Sequence, residues 1–122
     1  MAGSIPRKIP VVFYRTRGGS EIVRDWLRAL DERDRNAIGL DLMRIQFRWP
    51  VGMPLCRSMG DGLWELRTGL PSNRIARVLF CVVQERILIL NGFIKKTQKT
   101  PTEELALARK RMKEFQAGKA IS

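Results

Sequence analysis

The sequence predicts a single domain of mixed helix and sheet, and three observations predict it. Between Leu63 and Ile94, three runs rich in aliphatic, β-branched and aromatic residues follow one another, parted by short polar turns. Before them, two stretches carry apolar residues at helical spacing and are joined by a tight acidic turn. After them, Thr100-Pro101-Thr102-Glu103 matches a capping box, with Thr100 at the N-cap and proline at the first helical position. At 122 residues and 44% apolar, the whole chain, 1–122, suits one core.

The elements justify themselves in order. Ile9–Tyr14 reads as a short strand, with Pro10 suited to a strand start or an edge. Arg15 to Gly19 is a loop. Ser20 suits an N-cap, and Glu21 in the first turn favours the helix dipole. Ile22, Val23, Trp26, Leu27 and Leu30 then recur at helical spacing, giving a first helix to about Leu30. Asp31-Glu32-Arg33-Asp34 breaks that pattern and supplies acidic residues to a second helix. Ala37, Ile38, Leu42 and Ile45 form one face of it, Leu40, Met43 and Phe47 widen the stripe, and Pro50 ends it. Helices joined this tightly form an antiparallel hairpin whose broad apolar side must cover the sheet. Val51–Gly62, with glycines, a proline and two methionines, reads as an irregular loop.

The first clear strand of the block is Leu63–Thr68, closed by Gly69-Leu70-Pro71-Ser72-Asn73. Arg74–Val83 and Ile87–Ile94 follow, joined by Gln84-Glu85-Arg86; their nearly unbroken apolar runs suit strands covered on both faces. Alternation along the first of the three puts Leu63, Glu65 and Arg67 on one side, and Trp64 and Leu66 on the core side. If Arg77 lies across from Arg67 on the neighbouring strand, two guanidinium groups flank one small area and match phosphate oxygens in a bidentate way. Lys95, Lys96 and Lys99 at the end of the last strand complete a cationic cup. The final helix carries Leu105, Ala108, Met112 and Phe115 on one side, with Arg109, Lys110 and Lys113 elsewhere, and Gly118 terminates it.

Composition narrows the function. Against 12 acidic residues stand 23 Lys and Arg, a formal charge of +11 that gathers polyanions. Nucleic acid is the commonest such partner, and an acidic protein is the other. Histidine is absent, which removes the usual general base, the usual metal ligand and every Ser-His or Cys-His arrangement. Cys56 and Cys81 have no CxxC or zinc-ligand spacing, and Cys81 sits inside an apolar strand as an inert thiol. No signal-peptide core and no apolar run of about 18 residues is present. A disulfide-free cytoplasmic protein without cofactor, metal or membrane partner is expected.

The segments GLWELR (62–67), RIARVLFCV (74–82) and ILILNGFIKKTQKTP (87–101), followed by Glu104-x-x-x-Ala108-x-x-Arg111, resemble the HigB-like, phage-derived branch of the RelE/ParE toxin superfamily. The resemblance implies a small α+β fold: an antiparallel-dominated sheet, an N-terminal helical hairpin across one side and a C-terminal helix. It implies a toxin with a cognate antitoxin, usually of the helix-turn-helix type. Many relatives are endoribonucleases that cleave mRNA on the ribosome, whereas the ParE side poisons DNA gyrase. On this resemblance Arg67 falls where such sheets present a lysine or arginine beside the scissile phosphate. Arg77 looks like the arginine of the next strand, and Lys95, Lys96 and Lys99 fall near the basic segment after the last one. Relatives on the RelE side add a tyrosine after that segment, and some HigB enzymes use histidines. Here the only tyrosine is Tyr14, on the first strand.

A cationic cup can cleave RNA without metal or histidine, because the 2′-hydroxyl of the substrate is poised for in-line attack on its own phosphate. The catalytic candidates are therefore Arg67 and Arg77, with Lys96 or Lys95 as base and Glu65 competing for that role. Lys99, Arg74, Arg109, Lys110 and Lys113 are the candidates for RNA contact, although Arg109-Lys110-Arg111 also reads as a solvated helix face. The rival readings are a ParE-like, non-nuclease inhibitor of gyrase and a basic nucleic-acid-binding module without catalysis.

Overall fold

The described residues of the computed structural model, 8–95 and 99–118, form five strands and three helices. In chain order these are β1 (Val11–Phe13), α1 (Ile22–Ala29), α2 (Glu32–Arg48), β2 (Cys56–Gly60), β3 (Leu63–Gly69), β4 (Ile75–Val83), β5 (Arg86–Lys95) and α3 (Thr102–Gly118). The strands make one sheet in the order β1-β5-β4-β3-β2. Only β1, which pairs with β5, runs parallel to its neighbour; the other pairs are antiparallel. This is the α+β architecture the sequence predicts, with the helical hairpin and the C-terminal helix in their expected places.

Both faces of the sheet are covered, which is why β4 and β5 read as unbroken apolar runs. On one face α1 and α2 set Val23, Leu27, Ile38, Leu42 and Ile45 against Leu66, Val78, Phe80, Ile87 and Ile89. Trp49, just past α2, packs edge-on against Trp64 and Phe80 at 4.9 and 5.4 Å between ring centroids. On the other face α3 sets Ala108 and Met112 against Leu63, Leu79, Cys81, Leu88 and Leu90.

Four local expectations are corrected. The segment read as an irregular loop contains a strand, β2, which lies antiparallel to β3 at the sheet edge. It joins β3 through Asp61 and Gly62, both at positive φ (55° and 85°), the backbone of a two-residue hairpin turn. At α1 the N-cap is Glu21, not Ser20, and its carboxylate pairs with Arg15 and Arg24 at 3.2 and 3.1 Å. Thr100 does not serve α3 as a capping side chain. The carbonyl of Pro101 accepts the opening helical bonds from Glu104 and Leu105, and the Thr100 hydroxyl turns to the sheet. Finally, Leu40, Met43 and Phe47 do not widen the buried stripe of α2. They lie on its outer side and are exposed. At 100° per residue they sit roughly opposite Ile38 and Ile45, so α2 is apolar on two faces. Among the described residues no helix is long and apolar enough to cross a membrane.

Candidate functional site

Side-chain parity along β3 builds the site. Leu63 packs under α3, so Glu65 and Arg67, two and four residues on, face the same way. Arg67 is directly opposite Arg77 in the β3–β4 register, so the two arginines share that face. Like charges placed directly across a ladder repel. The compensation is Glu65, whose Oε1 lies 3.9 Å from Nε of Arg67 and whose charge favours the protonated Arg77. Thr100 closes the group. Its hydroxyl donates to Oε2 of Glu65 and accepts from Nη1 of Arg77 at 3.4 Å.

The members differ sharply in access. Arg77 is 0% exposed and Glu65 is fully buried, whereas the Arg67 side chain keeps 23% of its surface. Burial pulls the Arg77 guanidinium below its ordinary pKa; Glu65 opposes that shift and Arg67 adds to it. Glu65 is thus a counter-ion held by a hydroxyl donor, with no route to solvent. The member of the group with access to solvent is Arg67. Beside it lies Arg57 on β2, the register partner of Glu65 and hence on the same face, and exposed. Sequence reading missed Arg57 because it fell in a stretch taken for a loop. It missed Thr100 as a bridge because the residue also fits a capping pattern.

The position of Thr100 follows from how α3 is fastened. At Leu90 the β4–β5 ladder shifts register: Leu79 pairs with Asn91 and Phe80 with Ile89. Such a bulge re-aims the groups around it. The Leu90 carbonyl accepts from Nη1 of Arg111 at 2.8 Å, and the Asn91 amide donates to the carbonyl and Oε1 of Glu104, at 3.2 and 2.8 Å. Further along, Arg109 donates to the carbonyls of Met59 and Gly60 at 2.7 and 3.3 Å and pairs with Asp61 at 3.6 Å. Arg109 thereby ties α3 to the β2–β3 hairpin.

Arg74 is held by Asp34 at 3.2 Å and by the hydroxyl of Ser72, away from α3. Lys99, Lys110 and Lys113 are exposed. Lys95 ends β5 opposite Ile75, its side chain outside the described residues, and Lys96 lies outside them altogether. Tyr14 donates to Glu114 at 2.5 Å at the far end of α3 and takes no part in the cluster.

This arrangement can hold a phosphodiester against Arg67 and Arg57, with a third, fixed positive charge, Arg77, beneath. The profile of the family described as Phage derived protein Gp49-like (DUF891) matches residues 25–113, from α1 through most of α3. No curated protein matches the chain.

Proposed function

Since the chain belongs to the Phage derived protein Gp49-like family, we propose that it is the toxin of a type II toxin–antitoxin system and an mRNA endoribonuclease acting on the ribosome. One observation carries this reading: Arg67 and Arg77 oppose one another on a single face of the sheet, with one carboxylate between them. The substrate supplies its own nucleophile, the 2′-hydroxyl, and the protein aligns it and neutralises charge on the phosphorane-like transition state. Arg67 binds the phosphate, aided by Arg57. Arg77 sets a positive potential from below, and Glu65 keeps both guanidinium groups in place. The base is Lys96 or Lys95. This chemistry asks for no metal or organic cofactor. A ribosome offers both substrate and an anionic rRNA surface for a chain of charge +11, and a cognate antitoxin of the helix-turn-helix type restrains the toxin in the cytoplasm.

The complete burial of Arg77 favours a second reading, in which the cluster is structural and the protein is a ParE-like inhibitor of gyrase or a plain nucleic-acid-binding module. Mapping transcript 5′ ends during induced expression, beside a gyrase supercoiling assay, separates the two. New ends within translated regions, lost in an Arg67→Ala strain, are the expected result. Inhibited supercoiling without new ends would replace the nuclease with the gyrase inhibitor.

A further inference from the structure

The outer side of α2 carries Leu40, Met43 and Phe47 at 54%, 47% and 44% exposure, spaced by three and four residues. They form one ridge roughly 10 Å long, on the side of the helix turned away from the sheet. Exposed apolar side chains are ordinary when scattered singly; three large ones in a row on one helix are not. The ridge is edged on one side by Arg33 and Arg48, both exposed, and by Arg44, which pairs with Asp41 at 2.5 Å, and Lys8 sits 6.0 Å from the Phe47 ring.

We propose that this ridge docks an amphipathic helix of a partner protein, one whose apolar stripe is flanked by carboxylates. The spacing is that of anchors at i, i+3 and i+7, the pattern by which one helix reads another. The arginine edge selects an acidic flank on the incoming helix and disfavours a basic one. A second copy of this chain fits poorly, since it would bring one +11 molecule against another. The ridge is carried by α2, on the opposite side of the sheet from Arg67, so the proposal stands apart from the ribonuclease reading.

The test uses the full chain and a synthetic amphipathic peptide of about 20 residues, with leucines at i, i+3 and i+7 spacing and glutamates on the flanks, followed by fluorescence anisotropy. A control peptide carries lysines in place of the glutamates. The Leu40→Ser/Met43→Ser/Phe47→Ser variant keeps every charge and removes only exposed groups, and circular dichroism checks its fold. The glutamate peptide should bind the native chain, the lysine peptide should not, and the triple variant should lose at least about tenfold in affinity, the effect of one good interface anchor. Arg33→Glu/Arg48→Glu should weaken binding with the ridge intact. Equal binding by native and triple-variant proteins would overturn the proposal, leaving general attraction to a basic surface. So would ridge-dependent self-association in sedimentation, which assigns the ridge to a second copy, or ridge-dependent binding to phosphatidylserine vesicles in place of the peptide, which assigns it to a lipid surface.

Discussion

Arg67 and Arg77 occupy one row of the sheet yet make opposite demands on the fold. Arg67 reaches solvent, so Arg67→Ala should leave stability within about 1 kcal/mol of native while cutting RNA cleavage by roughly 10²–10³-fold, the usual cost of one preorganised donor. Arg77 is buried, donates to Thr100 and lies in the field of Glu65. Arg77→Ala empties a buried site and removes one of the two cations that balance buried Glu65; it should destabilise by about 3–5 kcal/mol, so its loss of activity by itself reports little. Urea unfolding beside a cleavage assay separates the two; a strongly destabilised Arg67→Ala would mean that this arginine, too, is structural. The shared face of Glu65 and Arg67 was legible from the period-two alternation of LWELR, with Trp64 and Leu66 committed to the core; that Arg77 joins them was a condition on strand register, which the β3–β4 pairing meets. Burial was not legible, because nothing in the order of residues says that Thr100, well beyond β4, returns to cover Arg77.

At the level of elements, the sheet and α3 meet through the bulge at Leu90, and α1 meets β5 at Gly92. A Cβ added to Gly92 would lie 2.6 Å from Cζ3 of Trp26, so the α1 indole packs directly on the strand backbone. Gly92→Ala should therefore cost roughly 1–3 kcal/mol by overpacking, measured by chemical denaturation. Pairing it with Trp26→Leu, which makes room, should recover part of the loss; no recovery would place the strain elsewhere. β2 was signalled and overlooked. Asp61-Gly62 immediately ahead of an alternating strand is a strong short-range hairpin signal, but Cys56–Gly60 lacks the apolar alternation that would have marked its other arm. Its order comes from the open edge of β3. The two-sided character of α2 was legible in principle from the angular offset of Leu40, Met43 and Phe47 relative to Ile38 and Ile45. Counting apolar positions without their angles merged two faces into one.

For the molecule as a whole, the two thiols report on global stability. Burial pushes both Cys56 and Cys81 up to about 11 from the usual 9.0, with Asp41 adding to the shift at Cys56. Below pH 9 folded and unfolded chains both keep these protons, so the contribution is constant. Between 9 and 11 the unfolded chain releases protons that the folded one retains, and stability falls by roughly 1.4 kcal/mol per pH unit per thiol. Urea midpoints at about pH 8 and about pH 10.5 should show that fall in the native protein and a smaller one in Cys56→Ala/Cys81→Ala. An equal fall in both would assign it to other groups. The global layout, a sheet sandwiched between a helical hairpin and a last helix, was the most legible feature, since each element announces itself locally. Strand order was not, because pairing between distant segments leaves no local periodicity.

That strand order has a temporal side. Val11 of β1 has Ile87 of β5 as its neighbour, so the earliest-made strand of the sheet must wait for the latest-made one, with every other strand synthesised in between. Until then IPVVFY is an unclaimed sticky segment on a nascent chain, and the sheet can close only after β5 has been made.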